Sequence, residues 1–529
     1  MNLLRATATI GGLTLLSRVA GFVRDVLMAR FVGAGMAADA FLIAFRLPNL
    51  FRALFAEGAF SAAFVPMFAR RLGKAEEGSE AEHALARARL FAEDVLAVLL
   101  PVLLVFNFLM ILLAAPMVWA LTGGFPDAAP EKLGLAIDFT RLAFPYLLLI
   151  SLVSLMGGIL NSVGRFWANA AAPLLLNITL VTGLLLFQGQ GDVATARGQA
   201  LFVSLAGIAQ FLWLLWSCLR ADIRLRLRRP RLTPDVRKLL GLIGPAALGA
   251  GAVQINLLIS TSLAARFLDE GSVSWLYYAD RLNQLPLGLI GIGVGTALLP
   301  AMSRLFGSDD EAGAVRQQNR AIELVLFLTL PAAAALGIAS LPIIRGLFEQ
   351  GRFLPQDSVE TARALSAFAL GLPAYVLIKV LTPGYHARQD TAMPVKLAVM
   401  SMLFNLAGNL LLIWPLGHVG IALSTAVAAW VNAAALWWVL RRRGHFFIDA
   451  RLLRALPRLA AACAAMAALL LALVPLLLPY MGEGLLVRAA ALAVLIGSGG
   501  LAYLAVARGL GLFTLAELRQ QFSRKGARS

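Results

Sequence analysis

Residues 95–118 read VLAVLLPVLLVFNFLMILLAAPMV, a run of twenty-four positions without a charged side chain. An α-helix rises about 1.5 Å per residue, so a run of this length crosses the roughly 30 Å hydrocarbon core of a bilayer. Similar runs recur along most of the 529-residue chain, and a strict alternation of apolar and polar positions is absent. The sequence therefore predicts an all-α polytopic membrane protein.

The composition also indicates a lipid environment, because 60% of the residues are hydrophobic and only 14% are charged. The formal net charge of +17 lies mainly in loops, above all in residues 220–238. Loops rich in Lys and Arg stay on the cytoplasmic side of a membrane, so both basic termini are predicted to be cytoplasmic. Anionic membrane lipids account for the charge, and we expect no nucleic-acid partner.

Hydropathy predicts about fourteen transmembrane helices, punctuated by Gly, Pro and charge. Their ranges are 8–32, 38–69, 91–122, 136–162, 168–188, 197–219, 238–267, 273–304, 319–347, 358–385, 392–414, 418–440, 453–479 and 484–508. An internal repeat links the first two spans to the seventh and eighth. Ala29-Arg30-Phe31 matches Ala265-Arg266-Phe267, Arg46-Leu47 matches Arg281-Leu282, and Pro66 matches Pro300, in a nearly constant register.

The repeat predicts two six-helix lobes with the same membrane orientation, related by an axis along the membrane normal and arranged around a central cavity. The predicted N-lobe is 1–222, and the C-lobe, with its basic linker, is 223–443. Spans thirteen and fourteen form an addition at 444–510, followed by a basic cytoplasmic tail at 511–529.

Ionised residues inside the predicted spans are the strongest functional signal, because each costs roughly 2.5–3.5 kcal/mol at the centre of a membrane helix. They concentrate in spans one, two and eight, as Arg18, Arg24, Asp25, Asp39, Arg46, Arg52, Glu57, Asp280 and Arg281. Such a cluster favours a water-filled cationic cavity and hence a transporter of a large anionic, lipid-linked substrate. Structural ion pairs, or end residues reaching the headgroups, remain the alternative for single residues.

Arginine suits a diphosphate because its planar guanidinium forms paired hydrogen bonds to oxyanions and stays charged when partly dehydrated. Arg18, Arg24, Arg52 and Arg281 are therefore the predicted phosphate ligands. We interpret Asp25, Asp39 and Glu57 as partners that pair with these arginines in the empty state. Arg46 and Asp280 are added to this gating or arginine-orienting group.

Polar residues in spans eleven and twelve permit two interpretations. Asn405, Asn409 and Thr425 are candidate ligands of a small cation, although such residues more often join helices by hydrogen bonds. The four histidines are dispersed, and we find no metal motif, nucleophile motif or phosphate-binding loop. The sequence therefore predicts neither an enzyme nor a resident cofactor.

The amino-terminal motifs resemble one known family. They are Ser17-Arg18-Val19-Ala20-Gly21-Phe22-Val23-Arg24-Asp25, Arg46-Leu47-Pro48-Asn49-Leu50 and Phe55-Ala56-Glu57-Gly58-Ala59-Phe60-Ser61, with Ser274-Trp275-Leu276-Tyr277-Tyr278-Ala279-Asp280-Arg281-Leu282 further on. They are similar to the MurJ (MviN) family of lipid II flippases, in the multidrug/oligosaccharidyl-lipid/polysaccharide exporter superfamily. The resemblance runs from Met1 through the twelfth span and weakens beyond it.

The resemblance implies a fourteen-helix transporter of the bacterial inner membrane. Its substrate would be lipid II, the undecaprenyl-pyrophosphate-linked peptidoglycan precursor, moved from the cytoplasmic to the periplasmic leaflet by alternating access. The family's required cavity positions fall on Arg18, Arg24, Asp39, Arg52 and Arg281, which the resemblance implies are the substrate-binding residues, with Asp25 and Glu57 as gating or orienting partners. In the family, spans thirteen and fourteen line a groove for the lipid tail.

Some alternatives remain open from sequence alone. The rival functions are a flippase for another lipid-linked oligosaccharide, a multidrug exporter of the same superfamily and a membrane glycosyl- or phosphotransferase. The expected driving force is the membrane potential or a monovalent ion, although span seven offers Gln254 and Asn256 in place of the acidic sodium ligands of some family members. Cell-wall synthases are candidate partners.

Overall fold

The long apolar runs of the sequence form α-helices in the structure, a computed structural model that describes residues 3–52, 60–73, 79–125, 130–307 and 310–512. Within these ranges the chain forms nineteen α-helices, a short 3-10 helix at Leu478–Gly482 and no β-strand. The prediction of an all-α fold is confirmed.

The helices are α1 (Leu3–Val32), α2 (Met36–Phe51), α3 (Phe60–Leu72), α4 (Ser79–Leu112), α5 (Ala114–Thr122), α6 (Pro130–Ala143), α7 (Pro145–Ser162), α8 (Phe166–Phe187), α9 (Asp192–Leu219), α10 (Pro234–Phe267), α11 (Ser272–Gly307), α12 (Glu311–Ile338), α13 (Ser340–Phe348), α14 (Pro355–Ala369), α15 (Leu372–His386), α16 (Ala392–Leu416), α17 (His418–Arg442), α18 (Ala450–Leu477) and α19 (Leu485–Gly509).

Four of the predicted spans are each divided into two helices, at the α4–α5, α6–α7, α12–α13 and α14–α15 junctions. A proline stands within the first three residues after every one of these breaks: Pro116, Pro145, Pro342 and Pro373. Proline lacks an N–H and fits the first turn of a helix, where that donor has no intrahelical partner. Each proline therefore favours a new helix start over an uninterrupted span.

Ten segments in the described part of the chain are long and apolar enough to cross a membrane. They include the predicted third to sixth and ninth to fourteenth spans. The first, second, seventh and eighth predicted spans are not among the ten, so the total of fourteen stays a prediction. The second predicted span is interrupted by residues 53–59, which lie outside the described ranges.

The chain separates into two compact units, which we describe individually. Unit 1 contains residues 1–274 and 350–353, and unit 2 contains 275–349 and 354–529. In unit 1, α8 packs against α1 and α9, α2 against α6, and α10 against α3. The lobes predicted at 1–222 and 223–443 are defined by the sequence repeat, which is a different criterion, and they stay a prediction.

Unit 2 is built around α12, α15 and α17. Its buried apolar residues include Val325 on α12, Val376 on α15 and Leu436 on α17. The buried Tyr385 hydroxyl donates to the Leu436 carbonyl at 2.6 Å, which joins α15 to α17. Helices α18 and α19 pack against each other and against α12. The predicted tail lies outside the described residues from position 513 onward.

Candidate functional site

Arg18 lines a pocket of about 270 Å³ in unit 1, between α1 and the amino-terminal half of α8. The other polar side chains in its lining belong to Thr14, Ser17, Asn161 and Asn169. Arg18 has no acidic side chain within 4.0 Å among the described residues. An arginine in such a pocket can bind an anion.

Arg52 lines a second pocket of about 210 Å³ in the same unit. Asn161, Asn169 and Pro173 border both pockets, so the two spaces are neighbours. Two of the four predicted phosphate ligands therefore lie in the walls of adjoining pockets within one unit.

Arg24 has contacts that its position on an ideal helix did not predict. Its Nη2 lies 2.7 Å from Asp25 Oδ1, and its Nη1 donates to Asn177 Oδ1 on α8 at 2.9 Å. Asn177 Nδ2 donates in turn to the Ser17 carbonyl at 2.9 Å. The acid, the amide and α1 itself thus hold the guanidinium in place.

Close approach of α7 and α8 brings Asn169 into both pocket walls. A Cβ added to Gly157 on α7 would lie 2.4 Å from Asn169 Oδ1, which is closer than real Cβ atoms come. Gly21 on α1 similarly lets the Asn177 amide approach, since a Cβ there would lie 3.3 Å from Asn177 Nδ2. The small residues of α1 and α7 therefore position the polar groups of α8.

Asp39 lies in a buried hydrogen-bond network and is only 1% exposed. Lys132 Nζ on α6 lies 2.8 Å from Asp39 Oδ2, and the Gly271 N–H donates to the same oxygen at 2.9 Å. The Ser274 N–H and hydroxyl donate to Oδ1 at 2.9 and 2.6 Å. These partners tie α2, through Asp39, to α6, to Gly271 and to the start of α11. Its assignment as a substrate ligand stays a prediction.

Of the two remaining predicted residues in the amino-terminal spans, the structure describes Arg46 and not Glu57. Arg46 Nη2 donates to the Thr261 hydroxyl on α10 at 2.7 Å, which joins α2 to α10 within unit 1. Glu57 lies outside the described residues.

Arg281 and Asp280 belong to α11 in unit 2. Arg281 Nη2 donates to the Tyr277 hydroxyl one turn earlier at 3.0 Å, and the guanidinium lies 4.9 Å from the Tyr277 ring centroid. Gln284 donates to Asp280 one turn later. These local contacts orient both side chains along α11.

The candidate cation ligands of unit 2 bond to one another. Asn409 Nδ2 donates to Asn405 Oδ1 at 3.2 Å, and Asn405 Nδ2 donates to the Thr425 hydroxyl at 3.3 Å. The Ser424 hydroxyl donates to the Asn405 carbonyl at 2.8 Å. These bonds join α16 to α17. Within the described residues, no group of three or more His, Cys, Asp or Glu is placed to bind a metal ion.

Sequence reasoning missed Lys132, Asn177, Asn161 and Asn169. Asn177 carried a signal, because an amide inside an apolar span needs a partner. Lys132 carried little signal in the sequence, since it is a single lysine in a region otherwise poor in basic residues. Only the packing of α6 on α2 shows it to be the counter-ion of Asp39.

Comparison with known proteins gives consistent matches over the chain. A family model described as "Lipid II flippase MurJ" matches residues 28–491. A probable lipid II flippase MurJ of Rhizobium meliloti is 45% identical, and the alignment covers 100% of this chain and 98% of the relative. A relative with the same description from Vibrio cholerae is 36% identical over 97% of both chains.

Solved structures show the same fold. A lipid II flippase MurJ in an inward closed conformation aligns with a TM-score of 0.76 at 25% identity, covering 95% of this chain and 98% of that chain. An inward-facing multidrug resistance transporter of the MATE family aligns with a TM-score of 0.65 at 17% identity, covering 82% and 94%. The second similarity concerns the fold alone.

Proposed function

Because the chain belongs to the MurJ family of lipid II flippases, we propose that it moves lipid II from the cytoplasmic to the periplasmic leaflet by alternating access. The chain is a multi-pass protein of the bacterial inner membrane. Family membership and the pockets of unit 1 support the proposal. The placement of both termini in the cytoplasm is part of it and rests on the basic loops.

One observation carries the assignment of the diphosphate site, namely that Arg18 and Arg52 line neighbouring pockets that share Asn161 and Asn169. A diphosphate presents two phosphoryl groups, and forked guanidinium groups bind them through charge-assisted hydrogen bonds. Asp25 and Asn177 orient Arg24, which stays a predicted ligand of the diphosphate. Arg281 of unit 2 stays a predicted ligand of the same diphosphate.

We assign Asp25, Glu57, Arg46 and Asp280 to gating or to the orientation of arginines, and we propose a gating role for Asp39 in addition to its predicted role as a substrate ligand. For Asp39 the contacts with Lys132 and Ser274 support this role, because α2 can leave α6 and the start of α11 only if these bonds break. A buried ion pair stabilises one arrangement of the helices that carry it, and separating the partners only partly leaves both charges uncompensated. Such a pair therefore favours a gate with two distinct states, closed and open.

The energy source is proposed to be the membrane potential or a monovalent ion. Moving one net charge through the potential is worth about 2.3 kcal/mol per 100 mV. The Asn405–Asn409–Thr425 cluster is the proposed place for an ion, with its role in joining α16 to α17 as the alternative. The substrate is proposed to cross without covalent change, and cell-wall synthases are proposed partners.

Complementation tests the proposal. Cells depleted of their own lipid II flippase should grow when this chain is expressed, and lipid II should stop accumulating in the cytoplasmic leaflet. Arg24→Ala and Arg281→Ala should each abolish rescue while the protein remains in the membrane. Arg197→Ala is the matched control, because Arg197 is 62% exposed and pairs with Asp138.

Binding separates the rivals. Purified protein should bind a lipid diphosphate, and loss of one charge-assisted contact of about 1.5–3 kcal/mol in Arg18→Ala or Arg52→Ala should weaken it roughly ten-fold or more. Preference for a hydrophobic cation would favour a multidrug exporter. Rescue of growth without any change in lipid II distribution would point to another lipid-linked oligosaccharide, and a covalently altered lipid would point to a transferase.

A further inference from the structure

A third pocket of unit 1 shares no lining residue with the two described above. It has a volume of about 200 Å³, and its lining is Leu160, Arg165, Trp167, Ala168, Ser217 and Arg220. These residues come from the end of α7, the start of α8 and the end of α9, where α9 leads into the basic segment 220–238. None of them borders the pockets of Arg18 and Arg52.

The two arginines of this third pocket are held together without a counter-ion. Arg165 Nη1 donates to the Arg220 carbonyl at 3.0 Å, which fixes Arg165 beside the end of α9. Both side chains are exposed, and neither has a carboxylate within 4.0 Å in the described part of the chain. The Arg220 guanidinium makes no hydrogen bond there and lies 4.7 Å from the Trp216 ring centroid. Two arginines that line one pocket without an acid attract an anion.

Three tryptophans form a cluster at this pocket. The Trp167 and Trp213 rings meet edge to face at 5.3 Å, and Trp213 and Trp216 are also 5.3 Å apart. Trp213 Nε1 donates to the Ala168 carbonyl at 3.0 Å, which fixes its ring in the cluster. Trp167 and Trp216 remain 37% and 42% exposed. Tryptophan is enriched where a membrane protein meets the headgroup layer, so these rings place the third pocket at headgroup depth.

We propose that the third pocket binds the phosphate of an anionic phospholipid, with Arg165 and Arg220 as its ligands and the tryptophans against the upper part of the acyl chains. Charge complementarity selects an anion, and the exposed indole rings select one that carries a hydrophobic tail. The site has its own lining residues, none of which lines the proposed diphosphate pockets, so it goes beyond the proposed transport of lipid II.

Lipid binding to the full-length protein in detergent tests the site, with phosphatidylglycerol and phosphatidylcholine titrated separately and bound lipids counted by native mass spectrometry. The wild type should bind its first phosphatidylglycerol more tightly than phosphatidylcholine. The double variant Arg165→Gln/Arg220→Gln should weaken the binding of phosphatidylglycerol roughly ten-fold or more, because it removes charge-assisted bonds. It should leave the affinity for phosphatidylcholine unchanged. Each single variant should give a smaller loss, which keeps the test valid if the double variant misfolds.

Arg229→Gln/Arg231→Gln is the matched control, since it removes the same charge from exposed positions of the basic segment. It should change the affinity for the first phosphatidylglycerol by no more than about two-fold, because neither residue lines the third pocket and both act on the lipid only through a screened field. Equal losses in the two double variants would overturn the site in favour of general surface charge. Displacement of the lipid by excess inorganic phosphate alone would overturn the assignment to a phospholipid.

Discussion

At the scale of single residues, the buried Asp39–Lys132 pair illustrates how a charge is accommodated in an apolar protein. Asp39 and Lys132 are 1% and 3% exposed, and three further donors satisfy the carboxylate. Lys132 also lies 4.9 Å from the Phe125 ring centroid. A buried pair contributes little net stability when intact, but one partner alone leaves an uncompensated charge.

Replacing Lys132 by methionine should therefore be strongly destabilising. We expect Lys132→Met to cost about 3–5 kcal/mol, measured as a lower midpoint of thermal unfolding in detergent. Lys396→Met is the matched control, because Lys396 is exposed and should change stability by no more than about 0.5 kcal/mol. Asp39→Asn/Lys132→Met removes both charges and should recover part of the loss. Equal effects of Lys132→Met and Lys396→Met would show that the pair is not buried as described.

Asp390 offers a pH-dependent contact in the loop between α15 and α16. Arg443 Nη1 lies 2.7 Å from Asp390 Oδ2 and the Met393 N–H donates to Oδ1, and these contacts lower the pKa of the Asp390 carboxyl below its usual value. A carboxyl with a lowered pKa stabilises the folded state above its ordinary pKa, and this stabilisation is lost as the pH falls through the folded-state value.

We expect Asp390→Asn to lower the unfolding midpoint slightly at neutral pH, since exposed pairs contribute about 1 kcal/mol or less. As the pH falls through the lowered pKa of Asp390 in the folded state, the wild type and the variant should converge. The measurement is thermal unfolding in detergent as a function of pH. A difference that stays constant into the acidic range would assign the effect to packing and not to ionisation.

At the scale of elements, the sequence predicted correctly that the apolar runs form α-helices, but it did not predict where those helices are interrupted. Hydropathy located the apolar runs, but Pro145 and Pro373 stood inside runs that still looked continuous, and the helix breaks beside them. The arginines proposed as diphosphate ligands were identifiable from their cost in lipid. Their neighbours Asn161, Asn169 and Asn177 were not, because which amide faces which arginine depends on the rotation and spacing of α1, α7 and α8.

Small residues set the distance between neighbouring helices, most clearly between α16 and α17. A Cβ on Gly420 would lie 2.2 Å from the Leu412 carbonyl oxygen, and one on Gly408 would lie 2.3 Å from Ser424 Oγ. The first contact is to backbone, which cannot rotate away as a side chain can. The polar bonds of Asn405 require the same close approach.

Gly420→Ala should consequently separate the two helices and cost about 1–3 kcal/mol, as overpacking does elsewhere. Gly497→Ala is the control, because no atom lies within 4 Å of its added Cβ and alanine favours a helix by up to about 1 kcal/mol. Thermal unfolding should thus move in opposite directions for the two variants. A stabilising Gly420→Ala would contradict the close packing of α16 on α17.

At the scale of the whole molecule, the last two helices raise the question of what attaches them to the rest of unit 2. Apolar contacts such as those of Leu452 and Leu459 can be replaced by lipid tails, so they do not by themselves favour attachment. Polar bonds cannot be replaced in this way. Asn319 Nδ2 donates to the Phe447 carbonyl at 3.0 Å, the Tyr503 hydroxyl donates to the Phe327 carbonyl at 2.7 Å, and Arg488 Nη1 donates to the Glu349 carbonyl at 3.2 Å.

These bonds attach the pair at three places, and Arg320 adds an ion pair with Asp449 before α18. We therefore expect fragments 1–444 and 445–529, expressed together, to co-purify. Hydrogen bonds between membrane helices contribute about 0.6–2 kcal/mol each, so Asn319→Ala, Arg488→Leu and Tyr503→Phe combined should weaken the association roughly twenty-fold or more. Leu471→Ala is the control, since its side chain is 62% exposed and should leave co-purification unchanged. Co-purification of the triple variant at the level of the wild type would show that lipid-replaceable packing holds α18 and α19, because the polar bonds would then be dispensable.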